Sequence, residues 1–202
     1  FIISCLAVTL SDQPHVHRYR DWRGRLHEFE DVDVNVLVER DTDEDRVAVP
    51  HVIRRANTRS VWSIHDELRH VKAARETRPD PALNRLTRHL PGVLRRQLWR
   101  LPQWFPSRWK RLAGTVAVTS VGMFGTGAGW AISPTNYTLQ LTIGGIGTKP
   151  RVVDGDVRPR EVLSLTVTFD HDVVDGAPAA RFVQRLGDRL EAGHGLDSPS
   201  DE

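Results

Sequence analysis

The segment FDHDVVDG, residues 169–176, sets His171 four positions ahead of Asp175, with Gly176 directly after and the apolar run VLSLTVTF in front. An imidazole titrates near pH 6.5 in water, and at the end of a buried strand it is both partly desolvated and reachable, as a general base must be. Gly176 permits backbone conformations that other residues resist. The same residues also read as an ordinary polar turn, with Asp175 capping a helix and His171 in solvent. Taken alone, the segment leaves both open.

Two other stretches invite a chemical reading. His15-Val-His17 would place two imidazoles on one face of a strand, but no third ligand is evident and no metal is expected. Gly122, Gly125, Gly127 and Gly129 follow a strand, yet no G-K-[ST] ending or helical pattern comes after them, so a flexible turn fits better than a phosphate loop.

The elements that must carry these residues follow from periodicity. FIISCLAVTL opens the chain as an apolar helix of only ten residues that ends at SDQP, too short for a membrane span and without the basic segment of a signal peptide. DVDVNVLV (31–38) alternates as a half-buried strand, and RVAVPHVI (46–53) reads as its neighbour across the acidic turn DTDED. Val61, Ile64, Leu68 and Val71 recur at helical steps, with Thr58 or Ser60 as cap. TVAVTSV (115–121), YTLQLTI (137–143) and VLSLTVTF (162–169) read as strands, with a turn at Asp154-Gly155. Ala179, Phe182, Val183, Leu186 and Leu190 mark a last amphipathic helix. Strands and helices alternate irregularly, which predicts an α/β domain over 1–190 with a mixed sheet flanked by helices, and a frayed tail over 191–202.

Residues 76–113 interrupt that pattern with a basic Trp/Arg/Pro-rich insertion. Trp99, Trp104 and Trp109 interleave with Arg95, Arg96, Arg100, Arg108, Lys110 and Arg111, a composition suited to anionic lipid, nucleic acid or an acidic partner. It better fits a surface hairpin whose tryptophans pack on the core, since Pro102 and Pro106 break any long amphipathic helix. Elsewhere, 28 basic against 26 acidic residues leave a net charge of +2, so no global attraction to a polyanion exists and no nucleic-acid partner is expected. A single Cys5 in an apolar run reads as a small buried residue, in keeping with a cytoplasmic protein.

GTVAVTSVGMFG (114–125), AISPTNYTLQLTIGGI, the Asp-Gly turn and SLTVTFDHDVVDGAPAARFVQRL resemble, in order and spacing, the catalytic domain of the dihydrolipoamide acyltransferases of 2-oxoacid dehydrogenase complexes. Upstream, VDVNVLVERDTDEDRVAVPHVIRRANTRSVWSIHDEL is similar to that family's strand pair and following helix. The resemblance covers most of the chain outside the insertion and tail. It implies a chloramphenicol-acetyltransferase-like fold that lacks an N-terminal part here, and a homotrimer with active sites between subunits. The implied activity is acyl transfer between the thiols of coenzyme A and dihydrolipoamide, with dehydrogenase-complex subunits as partners. No stretch resembles a lipoylated lysine in its hairpin, so the lipoyl group is expected in trans or from a segment outside the chain. His171 would be the base and Thr119 the hydroxyl that stabilises the oxyanion, where the family has Ser, with Ser120 in reserve. Asp175 would be a structural carboxylate paired with an arginine, and Gly176 would keep the turn tight. At Asp172 the family usually has Arg, and a carboxylate there would repel the phosphates of coenzyme A. The other function that fits is a non-catalytic trimeric scaffold that binds a partner or a membrane surface through the insertion.

Overall fold

A computed structural model describes residues 1–41, 46–73, 104–122 and 129–196. Helix α1 (Ile2–Asp12) is followed by a 3-10 turn at Pro14–His17 and a two-stranded ribbon, β1 (Tyr19–Arg20) and β2 (Leu26–His27). Strands β3 (Val34–Asp41) and β4 (Arg46–Ile53) lead through a 3-10 turn at Ala56–Thr58 to helix α2 (Val61–Ala73). After the insertion come helix α3 (Pro106–Ala113), strands β5 (Val116–Ser120), β6 (Leu139–Val153) and β7 (Asp156–Phe169), and helix α4 (Gly176–Glu191).

One five-stranded sheet, ordered β4-β3-β5-β6-β7, organises the chain. Its outer pairs are antiparallel, while β5 runs parallel to both β3 and β6, so the sheet is mixed as expected. Alternation gives it two unlike faces. Val34, Val36, Val116, Val118, Leu139 and Leu141 are buried and pack with Leu6, Leu10, Ile64, Phe182 and Leu186 of α1, α2 and α4. The opposite face carries Asn35, Thr119, Gln140, Thr142, Ser164 and Thr166. Tyr137 covers part of it: its hydroxyl donates to Ala113 O at 2.7 Å and accepts from Asn35 Nδ2 at 2.7 Å, which ties α3 to the sheet.

Several expectations change. The last helix continues to Glu191, and a turn closed by His194 N to Arg189 O at 3.1 Å follows it; only 197–202 of the expected tail lie outside the described residues. Most of the insertion, including Arg95, Arg96, Trp99, Arg100 and Pro102, also lies outside them, as do Gly125 and Gly127. Its last ten residues fold: Pro106 starts α3, and Trp109 stacks on Tyr19 and leans on Tyr137, with ring centroids 5.8 and 5.7 Å away. No described helix is long and apolar enough to cross a membrane.

His15 and His17 lie in the 3-10 turn rather than on a strand, and they do not form a pair. His17 is 1% exposed and packs into the core, and neither ring nitrogen has a hydrogen-bond partner among the described residues. Burial lowers the imidazole to about 4, against an opposing pull from Glu28 and with smaller contributions from Lys110 and His15 in the same direction as burial. The unfolded ring titrates near 6.5, so the folded chain binds a proton less readily and loses stability as pH falls from about 6.5 to about 4. The loss amounts to about 3 kcal/mol. His17→Leu should remove this component, so the difference in thermal midpoint between the variant and the parent should be constant above pH 7 and grow in the variant's favour between pH 6.5 and 4.

Candidate active site

His171 stands on a turn held from three sides. Phe169, the last residue of β7, meets Phe182 of α4 edge-on, with centroids 5.9 Å apart and planes at 88°. Asp170 N donates to Thr138 O at 2.9 Å, and Asp170 O accepts from Val173 N and Val174 N at 3.0 Å each. Val174 is buried beneath the turn. These contacts fix the backbone while the side chains of His171 and Asp172 remain exposed. Asp172 N donates to Asp170 Oδ1 at 3.0 Å, and the Asp172 carboxylate pairs with Arg20 of the β1–β2 ribbon at 2.7 Å. The carboxylate beside His171 is therefore met by an arginine from 152 residues upstream.

Asp175 occupies the N-cap of α4, where its backbone carbonyl accepts from Ala179 N, but its carboxylate makes no capping bond. Among the described residues it has no arginine partner. Gly176 is the first residue of the helix, has no positive φ, and a Cβ there would meet nothing within 4 Å. The conformational reason for glycine at 176 is thus absent; room, not backbone freedom, is what it leaves at the helix start.

Thr119 lies near the end of β5, half-buried on the polar face, whereas Ser120 is exposed and turned to the opposite face. Asp33 anchors the start of β5: its carbonyl accepts from Thr115 N at 2.7 Å, and its buried carboxylate accepts from Arg54 Nη1 and Arg55 N at 2.9 Å each. Past β5 the backbones crowd, since a Cβ on Gly122 would sit 2.1 Å from Gly144 O and one on Gly144 would sit 2.2 Å from Gly129 O. Glycine is required at 122 and 144, whereas a Cβ on Gly129 would meet nothing within 4 Å, so Gly129 takes part in the crossing through its carbonyl alone. Thr119 pairs with Thr142 of β6, and Thr142 pairs with Thr166 of β7.

That register separates the two principal candidates. His171 lies five positions beyond Thr166 and two strands away from Thr119, on the order of 15–20 Å at the backbone. Side chains stand off a sheet rather than along it, so one chain does not bring the imidazole and the hydroxyl onto one small group. Among the described residues no cluster of three His, Cys, Asp or Glu converges as a metal site would require.

Sequence reading missed the β1–β2 ribbon, whose two-residue strands are too short for a periodic signal. Its hub is Asp21, buried, which accepts from the amides of Arg23 and Arg25, from Arg25 Nε and from His27 Nε2. The bond from His27, reinforced by those from Arg25 and Arg23, holds its carboxyl well below the usual carboxylate range. The Asp-x-x-Gly spacing to Gly24, which has φ 78°, was the available signal.

Residues 111–196 match the family model of the 2-oxoacid dehydrogenases acyltransferase catalytic domain. Over 196 residues the chain is 28% identical to the lipoamide acyltransferase component of the branched-chain alpha-keto acid dehydrogenase complex of Pseudomonas putida, covering 95% of this chain and 38% of that protein. The chain thus spans well under half the length of that relative. The fold matches a probable dihydrolipoamide acetyltransferase from Listeria monocytogenes at TM-score 0.67 and 19% identity, over 98% of this chain and 71% of that one. It matches the dihydrolipoamide acetyltransferase of Azotobacter vinelandii at 0.62 and 20%, over 94% and 66%. For a chloramphenicol acetyltransferase the values are 0.55 and 13%, over 94% and 75%.

Two variants weigh the contacts that fix the turn. Phe182→Ala should cost about 3–5 kcal/mol in urea unfolding, because it empties a fully buried ring site under Phe169. Arg20→Gln, which breaks a solvent-facing pair, should cost less than about 1 kcal/mol. Residues 111–196 thus carry the sequence pattern of the 2-oxoacid dehydrogenases acyltransferase catalytic domain, and the chain is similar to those acyltransferases in fold over nearly its whole length.

Proposed function

We propose that the protein transfers an acyl group between thiols, those of coenzyme A and dihydrolipoamide, at a site completed by two chains. The observation that carries this is the exposed His171 on a turn clamped by Phe169, Phe182 and Val174, inside the segment that matches the family's catalytic domain. The Azotobacter protein's catalytic mechanism is described through a serine, a histidine and an asparagine, whose spacing is that of Thr119, His171 and Asp175 here. That spacing supports Thr119 over Ser120.

The reaction needs only what these groups supply. His171 takes the proton of the incoming thiol, and the thiolate attacks the thioester carbonyl. A carbon–sulfur bond forms while the carbonyl electron pair moves to oxygen. Thr119 donates a hydrogen bond to that oxygen. Collapse of the tetrahedral species restores the carbonyl and expels the second thiolate, which recovers its proton from His171. Asp172, held by Arg20, presents no uncompensated charge beside the base.

The register supports a site between subunits, because within one chain Thr119 and His171 stand apart. The ribbon that continues β6 and β7 beyond the irregularity at Ile143/Ile146 points the same way. It leaves Ile146, Val152 and Val157 at 60%, 72% and 72% exposure, and a two-stranded ribbon is marginally stable alone. A second copy, in a homotrimer, would cover it.

A scaffold without catalysis has one observation in its favour. Trp22, Trp104 and Phe105 are exposed side by side, with Arg23 and Arg108 stacked on their rings, a surface suited to a partner or a membrane. Transfer from acyl-CoA to dihydrolipoamide separates the two functions. His171→Ala should lower the rate by about 10²–10⁴ and Thr119→Val by about 10²–10³, with assembly retained. A parent protein no faster than His171→Ala would establish the scaffold instead.

A further inference from the structure

Helix α3 carries apolar side chains on two opposite sides. Its inner side packs through Trp109 on Tyr19 and Tyr137, while Lys110 reaches over Phe29 to Asp31, with Nζ 3.6 Å from the carboxylate. Its outer side, where a surface helix ordinarily carries polar residues, holds Phe105 and Leu112 at 52% and 65% exposure, with Arg108 and Arg111 between them. Trp104 precedes Phe105, and its ring lies 6.2 Å from that of Trp22 in the β1–β2 ribbon. Large apolar side chains from two elements thus meet in one exposed patch.

The charge of this patch has one sign. Arg23 stacks over the Trp22 ring at 4.7 Å and Arg108 over Phe105 at 5.3 Å, and among the described residues neither they nor Arg111 form an ion pair. The carboxylates nearby in sequence are occupied elsewhere: Asp21 by Arg25 and His27, Glu28 by Arg18, and Asp31 by Arg55 and Lys110. The patch is also rigid. Arg54 donates to Lys110 O at 2.9 Å and to Arg111 O, and Tyr137 donates to Ala113 O, so α3 meets a partner without first having to be ordered.

Aromatic rings with guanidinium groups laid on them suit the boundary between lipid headgroups and acyl chains. A folded protein partner is held by roughly one hydrogen bond per 100–200 Å² of interface, yet beside its arginines the outer side of α3 offers only the Ser107 hydroxyl. We infer that Trp22, Trp104, Phe105 and Leu112, with the three arginines among them, form a docking surface for a membrane rich in anionic lipid. The contact is peripheral, since no described helix is long and apolar enough to cross a bilayer. Docking requires no loss of catalysis, so it is independent of whether acyl transfer occurs.

The test sediments the full chain with vesicles of phosphatidylcholine, alone or mixed equally with phosphatidylserine. Binding to the mixed vesicles should be stronger on the order of 10²-fold, because each of three arginines at an anionic surface contributes about fivefold. In about 1 M salt, where the Debye length falls to about 3 Å, that preference should vanish. Arg23→Gln combined with Arg108→Gln should weaken binding to the mixed vesicles by more than about tenfold. Trp22→Ser combined with Phe105→Ser should weaken binding to both compositions. Both double variants should melt near the parent's temperature, because the side chains they remove face solvent. Equal affinity for the two compositions, or variants that bind like the parent, would overturn the docking surface. Absence of binding to both compositions overturns it as well; the same variants then dissociate the assembly if the patch joins two copies, and leave it intact if the patch meets another protein.

Discussion

Strand β5 is locked between two parallel neighbours, and that lock decides which groups the protein can bring together. Parallel pairing with β3 on one side and β6 on the other leaves a single register that keeps Val116 and Val118 in the core. A slip by one residue would turn Thr119 into the apolar layer and Ser120 onto the polar face. Asp33 holds the register at its origin by binding Thr115 through its carbonyl and the Arg54-Arg55 corner through its carboxylate. The same register that aligns Thr119 with Thr142 and Thr166 also leaves His171 beyond the end of the row. Division of the proposed site between chains would thus follow from the pairing pattern rather than be an added feature.

The two faces of the sheet divide the work. One is an apolar layer sealed by α1, α2 and α4, closed at the His171 turn by Phe169 against Phe182. The other holds hydroxyls and amides at positions where packing alone would favour aliphatic side chains. Among the described residues, the unpaired buried atoms of Thr142, Ser164 and Asn35 lie on this second face and none lies on the first. His17, between α1 and the ribbon, is the remaining buried side chain without a partner among the described residues, and its burial appears as acid sensitivity rather than as a binding feature.

Much of this arrangement was legible in the sequence where local pattern and burial agree. Strand β4 falls on 46–53 as read, and α2 and α4 follow their helical apolar spacing. Strands β6 and β7 are much longer than their apolar segments, because the ribbon beyond Ile146 is exposed on both faces and has no alternation to reveal it. His15 and His17 mimic a strand's spacing, but Pro14 fixes φ at the first position and starts a 3-10 turn. Two features of the candidate site left no local signal. The pairing of Arg20 with Asp172 spans 152 residues, and the adjacency of Thr142 to Thr119 exists only once β5 and β6 are in register. Asp172 read alone is an unfavourable charge beside a base; in the fold it is half of an ion pair.

The central claim, that one chain's His171 works with the Thr119 of another, is tested most directly by co-expressing His171→Ala chains with Thr119→Val chains and assaying the mixed assemblies. Each variant alone should be nearly inactive. Random mixing in a cyclic trimer should restore about a quarter of the parental rate, since some interfaces then pair an intact imidazole with an intact hydroxyl. Mixed assemblies as inactive as either variant alone would contradict the shared site and place both groups' work within a single chain.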